Sequence, residues 1–327
     1  MTRLTDLTEV DLARALRTQF RIDATSIVPT ETGQDVHARR YRVDSSYFVK
    51  VRPASDAREG AASLSRYLHD HGVPHVVAPL RSSTGSLTVQ EGEHSLTVYP
   101  LIDGVTGMEV GLTERQWRAF GSFLKGLHAT TLPAELAERV AFETYRPAEL
   151  DLLPRIDVAV SARDADEMVT FWSSHRDEIF ALATRTEELG QALKERALPL
   201  VLCHADLHTN NVIIDRDGEL WVIDWDEPAH APKERDLMFV VGGIHTSFVQ
   251  PRETAWFLEG YGGSITDPLA LAYYRHAWAV QDIGGYGKQV FLDSRLDERY
   301  PEARWRLESL FGPGSIVEIA RDSVQQV

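Results

Sequence analysis

The residues of this chain that are best suited to chemistry lie between positions 201 and 226. Asp206 follows an apolar segment, Leu198 to Cys203, which we expect to form a strand, and a carboxylate in such a loop can orient an incoming hydroxyl. Asn211 stands five residues later and offers an oxygen suited to a hard cation. The spacing H-x-D-x-x-x-x-N, followed by I-D at Asp224, indicates phosphoryl transfer, with Asp206 as catalytic base and with Asn211 and Asp224 as metal ligands.

A hairpin is expected to bring these groups together. The segments Asn211–Ile214 and Glu219–Ile223 alternate in polarity and flank the turn sequence D-R-D-G, so Asp224 should emerge beside the loop that carries Asp206. The alternative is that these are ordinary polar loop residues and that Asp224 caps the next element. The fixed internal distances of the motif argue against it, and His204 is expected to hold the loop by hydrogen bonds.

A second group of residues is predicted to bind the nucleotide. Lys50 lies in S-Y-F-V-K-V, and Glu59 follows nine residues later on a helix, which is the spacing of the kinase pair in which glutamate orients the phosphate-binding lysine. Either residue alone would more often be a strand-edge lysine or a solvated glutamate. The loop around Gly33 could offer N–H groups to phosphate, although one glycine is also typical of a plain turn. Backbone groups near a purine edge are expected from Tyr99, Leu101 and Ile102.

Composition and charge restrict the class of protein and its partners. The 327 residues contain 43% hydrophobic and 25% charged residues, as in an ordinary globular protein, and carry a formal net charge of −15. This charge argues against nucleic acid and anionic membranes as partners and favours cationic ligands, although acidity also serves solubility. The single cysteine excludes an intrachain disulfide. Since the sequence has neither a signal core nor a membrane-length apolar run, we expect a cytoplasmic protein, as a monomer or homodimer.

The periodicity of the chain predicts two lobes. A helix begins near Thr8, and strands at 36–43, 47–51, 86–90 and 94–99, with a helix at 58–70, predict an antiparallel N-terminal lobe over residues 1–100. Beyond the connector at 100–104, helices at 114–128, 164–188, 251–260 and 267–287 predict a larger helical lobe over residues 101–327. The fold class is therefore α+β.

These motifs together resemble the aminoglycoside phosphotransferase family, whose fold is protein-kinase-like. The resemblance rests on H-A-D-L-H-T-N-N, I-D-W-D, the pair Lys50 and Glu59, and Y-P-L-I at 99–102, and it covers residues 10–310. The segments 225–239 and 273–287 are most similar to the spectinomycin phosphotransferases of that family. The resemblance implies ATP or GTP with Mg²⁺, and a cationic small-molecule acceptor. His208 departs from the small residue of many relatives, which leaves the acceptor open.

Acidic and aromatic residues after Asp224 are candidates for binding the acceptor. Carboxylates suit the protonated amines of an aminocyclitol, while acids in this stretch also fit a helix N-terminus. Aromatic side chains could flank a sugar ring, although such residues are more often core. The predicted acceptor-binding residues are Trp225, Asp226, Glu234, Asp282 and Tyr286.

The sequence therefore predicts an ATP-dependent phosphotransferase acting on a hydroxyl of a spectinomycin-like antibiotic and conferring resistance to it. One alternative is a metabolic kinase of the same fold, acting on choline, homoserine or a sugar. A second is an inert nucleotide-binding scaffold, against which the intact Lys50, Asp206, Asn211 and Asp224 argue.

Overall fold

The computed structural model of the protein describes residues 7–30, 38–263, 266–294 and 299–323. Its class is α+β, with an N-terminal antiparallel sheet and a largely helical remainder. The contacts divide the chain into two compact units, residues 1–141 with 204–229 and residues 142–203 with 230–327. The two predicted lobes, residues 1–100 and 101–327, are a different division of the chain from these contact-based units. The boundary between the lobes at residue 100 stays a prediction.

The strands are short and mostly antiparallel. They are β1 (Ile27–Thr30), β2 (Arg39–Val43), β3 (Tyr47–Pro53), β4 (Thr88–Glu91), β5 (His94–Pro100), β6 (Gly104–Thr106), β7 (Ala141–Phe142), β8 (Val201–Cys203), β9 (Val212–Asp215), β10 (Leu220–Val222) and β11 (Ala229–Ala231). The N-terminal strands expected from the alternation of residues are present, while β1 went unpredicted.

The helices range from single turns to thirty residues. They are α1 (Glu9–Ala15), α2 (Glu59–Asp70), α3 (Gly107–Val110), α4 (Glu114–His128), α5 (Ala134–Ala137), α6 (Leu153–Ser161), α7 (Glu167–Arg196), α8 (Glu234–Leu237), α9 (Pro251–Tyr261), α10 (Pro268–Phe291), α11 (Tyr300–Ser309) and α12 (Ile316–Ser323). Among the helices that the structure describes, none has the length and apolar content needed to cross a membrane.

The sheet of the first unit has two unlike faces. Its five strands are hydrogen-bonded in the order β1-β2-β3-β5-β4. Alternation along the strands points one set of side chains into an apolar core with α1, and this set includes Tyr41, Val43, Val49, Val51, Leu96 and Val98. The other face carries basic side chains: Lys50 stands opposite Arg40 on β2, and Arg52 follows two residues along β3. These three side chains are buried, so this face needs anionic partners.

The predicted hairpin is present in the same unit. β9 pairs antiparallel with β10 on one side and with β6 on the other. Its turn is fixed by Asp215, whose side chain accepts the N–H groups of Asp217 and Glu219, and by Gly218, whose φ of 79° suits glycine. The strand ends that carry the predicted catalytic groups are therefore held on both sides.

The second unit is built around α10. Fifteen residues of this helix are buried, and it packs with α6, α7, α11 and α12 in a core that includes Ile156, Trp172 and Ile283. Gly287 permits the close approach, since a Cβ there would lie 3.0 Å from Ile156 and 3.3 Å from Trp172. A helix buried on most sides is stabilised mainly by packing, which explains its long apolar sequence.

Candidate active site

The loop before the hairpin holds Asp206 in a fixed orientation. The Asn211 side-chain amide donates to the backbone oxygen of Asp206 at 2.7 Å and to its carboxylate oxygen Oδ2 at 2.9 Å. The N–H of Asp206 donates to Nδ1 of His204 at 3.3 Å, while Nε2 of His204 lies 2.9 Å from the carbonyl oxygen of Ile223. His204 is buried. It therefore fastens the loop to the segment after β10, the structural role that its sequence position indicated.

His208 lies on the other side of the same carboxylate. Its Nε2 is 3.2 Å from Oδ1 of Asp206. Burial raises the pKa of Asp206, and the nearby negative charge of Asp224 acts in the same direction, while His208 and His204 oppose the rise. Asp206 thus combines a fixed orientation with increased basicity, and both properties suit a group that accepts a proton.

Lys50 lies against two carboxylates. Its Nζ is 2.6 Å from Oδ1 of Asp224 and 2.8 Å from Oδ2 of Asp226, and it stands 5.9 Å from the centre of the Tyr99 ring. Burial alone would lower the pKa of Lys50, but the two carboxylates outweigh it and raise that pKa. Burial alone would likewise raise the pKa of Asp224, yet Lys50 holds it well below its ordinary value. The ammonium of Lys50 and the carboxylate of Asp224 are therefore charged.

Two residues of the site have left-handed backbone conformations that disfavour a side chain. Asp224 has a φ of 64° and Ala205, immediately before Asp206, a φ of 70°. Such strain persists only where surrounding contacts impose it, and it clusters at functional sites. Here the ion pair of Asp224 with Lys50 and the hydrogen bonds of the Asp206 loop supply those contacts.

The structure does not bring the predicted pair of Lys50 and Glu59 together. Glu59 is the first residue of α2 and is exposed, and the described residues give it no ion pair with Lys50. Spacing along the sequence placed the glutamate on the correct helix but at its N-terminus, where an acid is stabilised by the helix dipole. The carboxylates on Lys50 come instead from Asp224 and Asp226.

One of the three residues predicted to offer backbone groups to a purine has its N–H already hydrogen-bonded within the protein. The N–H of Leu101 donates to the carbonyl oxygen of Ser46 at 2.8 Å, so that donor is occupied. Tyr99 lies in β5 opposite Phe48, and Ile102 lies in the connector after that strand. Gly33 lies outside the described residues. The nucleotide roles of Tyr99 and Ile102 remain predictions.

Two of the predicted acceptor-binding residues lie in the first unit and are engaged there. Trp225 is only 3% exposed; its Nε1 donates to the carbonyl oxygen of Val222, and its ring contacts Phe123 and His204. It is a core residue and does not stack on a sugar. Asp226 accepts hydrogen bonds from Lys50 and Arg52 through one oxygen, so its partners in this structure are protein cations, and its acceptor role remains a prediction.

The other three predicted acceptor-binding residues belong to the second unit. Glu234 is 3% exposed, and its carboxylate accepts the backbone N–H of Asp267 at 2.9 Å, just before α10 begins. This contact is structural, and burial removes Glu234 from the surface that an amine could reach. Asp282 and Tyr286 are half-buried on α10, where Tyr286 packs against the helical core. Their acceptor roles remain predictions.

The arrangement offers oxygen ligands for a hard cation. Since the amide nitrogen of Asn211 is bonded to Asp206, its carbonyl oxygen is directed elsewhere, and Oδ2 of Asp224 is the oxygen that does not contact Lys50. The N–H of Ile223, the residue before Asp224, donates to the backbone carbonyl oxygen of Asn211 at 3.0 Å. This hydrogen bond holds the backbones of the two candidate ligands next to each other. An amide and a carboxylate oxygen match the preference of Mg²⁺.

Arg52 is the residue of this site that sequence reasoning missed. Its guanidinium donates to Asp226 at 2.7 Å and to Asp56 at 3.0 Å. The available signal was its position two residues after Lys50, because alternate residues of a strand lie on the same face.

The chain is similar to known proteins over most of its length. Residues 30–277 match the Phosphotransferase enzyme family, APH. The crystal structure of the spectinomycin phosphotransferase APH(9)-Ia in complex with ADP and spectinomycin is similar over 97% of this chain and 98% of that one, with 29% identity and a TM-score of 0.85. The crystal structure of its AMP-bound complex is similar over 95% of this chain and 97% of that one, with 29% identity and a TM-score of 0.79. A choline/ethanolamine kinase family protein from Mesorhizobium loti shares the fold, at 16% identity over 98% and 100% of the chains and a TM-score of 0.59. These likenesses confirm the expected fold class.

Proposed function

The chain belongs to the phosphotransferase enzyme family, and from this premise we propose that it transfers the γ-phosphate of ATP to a hydroxyl of a cationic, spectinomycin-like aminocyclitol. Such a transfer would inactivate an antibiotic and confer resistance to it. The enzyme is a phosphotransferase by family; the nucleotide, the metal and the acceptor are the parts proposed.

The proposal rests mainly on an oriented carboxylate and a buried lysine that both lie in the first compact unit. Asp206 is oriented by Asn211, and Lys50 is held beside Asp224. Phosphoryl transfer needs little covalent chemistry from a protein, because alignment and charge neutralisation supply most of the rate. A fixed carboxylate for the hydroxyl and a buried ammonium for the phosphates are the groups that such a reaction requires.

Each residue has a distinct role in this reaction. Asp206 accepts a hydrogen bond from the acceptor hydroxyl and takes up its proton as the new oxygen–phosphorus bond forms and the bond between the γ-phosphorus and the departing ADP breaks. Lys50 neutralises charge on the phosphates, and His204 keeps the loop in place. Asn211 and Asp224 would hold Mg²⁺, which when bound neutralises phosphate charge.

Similarity and charge support the proposed nucleotide and acceptor. The similar phosphotransferase was crystallised with ADP and spectinomycin, which supports ATP as donor, with GTP as the alternative nucleotide. Aminocyclitols carry protonated amines, and a net charge of −15 attracts cations and repels nucleic acids and anionic membranes. The acceptor is therefore proposed as a small cation that carries a hydroxyl.

The experiment that tests this proposal is a screen for acceptor-dependent ADP release. The purified enzyme is supplied with ATP and Mg²⁺ and with spectinomycin, other aminoglycosides, choline or homoserine. We expect spectinomycin or a related aminocyclitol to give the highest kcat/KM. A preference for choline or homoserine would identify a metabolic kinase, and failure of every acceptor together with failure to bind ATP would contradict phosphotransferase activity.

A further inference from the structure

The helix expected to orient Lys50 presents no carboxylate on its inner face. Residues of α2 that are buried are Ala61, Ala62, Leu64, Ser65 and Leu68. Its two acids are Glu59, which is exposed at the N-terminus, and Asp70, which pairs with Arg66 and Arg81. The carboxylates that contact Lys50 in this structure come from another part of the chain, Asp224 and Asp226.

Asp226 is placed to be that partner. Its Oδ2 accepts a hydrogen bond from Nζ of Lys50 at 2.8 Å. Asp224, the other carboxylate on Lys50, is already assigned as a candidate metal ligand, whereas Asp226 has no such assignment. Asp226 is thus the carboxylate on Lys50 that has no second proposed role as a metal ligand.

Arg52 fixes Asp226 in turn. One arm of its guanidinium donates to the same oxygen, Oδ2, at 2.7 Å, and the other arm donates to Asp56 at 3.0 Å. Arg52 and Lys50 lie two residues apart on β3, which is paired with β2 and β5. The oxygen that receives the ammonium is therefore held by a planar fork on the same rigid strand.

Burial makes these contacts strong. The side chains of Lys50, Asp226 and Arg52 are 9%, 14% and 5% exposed. Water screens such buried charges poorly. Removing one member of a buried ion pair is therefore costly in free energy, because the other charge stays buried without a partner. A lysine stem has four flexible bonds, so two fixed carboxylates restrict the ammonium far more than one.

We propose that Asp226 and Arg52 form a positioning pair that aims the ammonium of Lys50 at the nucleotide phosphates, in place of a helix glutamate. This inference rests on the proposed function, since it assumes a nucleotide with phosphates at this site. Neither residue needs to touch the substrate; both act through Lys50.

The test compares the binding of ATP and of adenosine, which has no phosphates, to the wild type and to Asp226→Asn. Asparagine keeps the shape of the side chain but loses its charge. We expect the Kd of ATP to rise about tenfold and that of adenosine to change less than about twofold, with kcat reduced at least about tenfold. If Asp226 contributed only negative charge near the phosphates, its neutralisation would instead tighten ATP binding, so the direction of the change separates the two roles.

Two further variants identify the route of the effect. In a Lys50→Met background, Asp226→Asn should add less than about twofold to the Kd of ATP, because the two residues act as one unit. Arg52→Lys keeps the charge but loses the fork, so it should weaken ATP binding in the same direction and to a smaller extent, even if Asp226→Asn folds poorly. A larger loss in Glu59→Gln than in Asp226→Asn would overturn the inference.

A matched control measures the general cost of removing a paired, half-buried aspartate. Asp157, whose side chain is 17% exposed, binds Arg176 at 2.9 Å in the second unit. Asp157→Asn should lower thermal stability without changing the ratio of the Kd values of ATP and adenosine. An unchanged ratio in both Asp226→Asn and Arg52→Lys would overturn the positioning role. A wild type that binds adenosine and ATP equally would contradict the proposed function itself.

Discussion

At the scale of single residues, the geometry of the site depends on which carboxylates form ion pairs with Lys50. The sequence motif correctly indicated which residues carry charge, but the partner of Lys50 depends on which side of a helix faces the sheet. Glu59 lies at the end of α2, and Asp226 takes the contact that the glutamate was expected to make. Spacing in sequence cannot distinguish these two solutions.

His276 provides a residue-scale prediction about pH. It is buried in α10, where its Nδ1 lies 2.8 Å from the carbonyl oxygen of Ala272. Burial lowers its pKa to about 4 from 6.5, and the positive charges of Arg185 and Arg275 act in the same direction. Because the folded-state pKa is depressed, the folded protein is fully stable with respect to this group above pH 6.5 and loses stability as the pH falls towards 4.

Denaturant unfolding of the wild type and of His276→Gln at pH 7 and pH 5 tests this. Between pH 7 and pH 5, the free energy of unfolding of the wild type should fall by about 2 kcal/mol more than that of the variant, because folding lowers the pKa of His276. An equal loss in both proteins would show that His276 does not titrate in this range.

At the scale of elements, the catalytic hairpin was predictable and its neighbours less so. Alternating residues on either side of D-R-D-G specify two strands and a turn, and the structure contains β9 and β10 at those places. Strand β6, which pairs with the other edge of β9, was not predictable, because Gly104–Thr106 is too short to show a period. The same limit hid β1, a four-residue strand that contains Pro29.

The pairing of β6 with β9 gives an element-scale prediction. A Cβ added to Gly104 would press on the carbonyl oxygen of Ile214 and lie 2.7 Å from the side chain of Ile213. Since the obstacle is backbone, Gly104→Ala should destabilise the protein by about 1–3 kcal/mol and lower kcat through the displaced hairpin.

Gly126→Ala is the matched control for this substitution. Gly126 lies within α4, and a Cβ there meets nothing within 4 Å. Alanine should stabilise that helix by about 0.5–1 kcal/mol. Unfolding in denaturant compares the two variants, and a Gly104→Ala protein as stable as the wild type would contradict the close pairing of the two strands.

At the scale of the whole molecule, the formal charge of −15 sets the long-range field. That field should concentrate cationic acceptors near the protein, and salt should screen it, since the Debye length is about 10 Å at 0.1 M ionic strength. The KM of a cationic acceptor should therefore rise several-fold between about 0.05 and 0.3 M salt.

An acceptor of the same skeleton whose amines are acylated provides the control, because it carries no charge for the field to attract. Its KM should change little over the same range of salt. Parallel changes for the charged and the acylated acceptor would indicate a general effect of salt on the enzyme and not a loss of attraction.

Single-turnover transfer from ATP in Asp206→Asn, with the Kd of ATP measured on the same protein, tests whether Asp206 activates a hydroxyl for phosphoryl transfer. Asparagine preserves the contacts with Asn211 but cannot take up the proton. We predict that the rate constant for transfer falls about a thousandfold while the Kd of ATP stays within about threefold of the wild type. A transfer rate close to that of the wild type would show that Asp206 is not the base for this reaction.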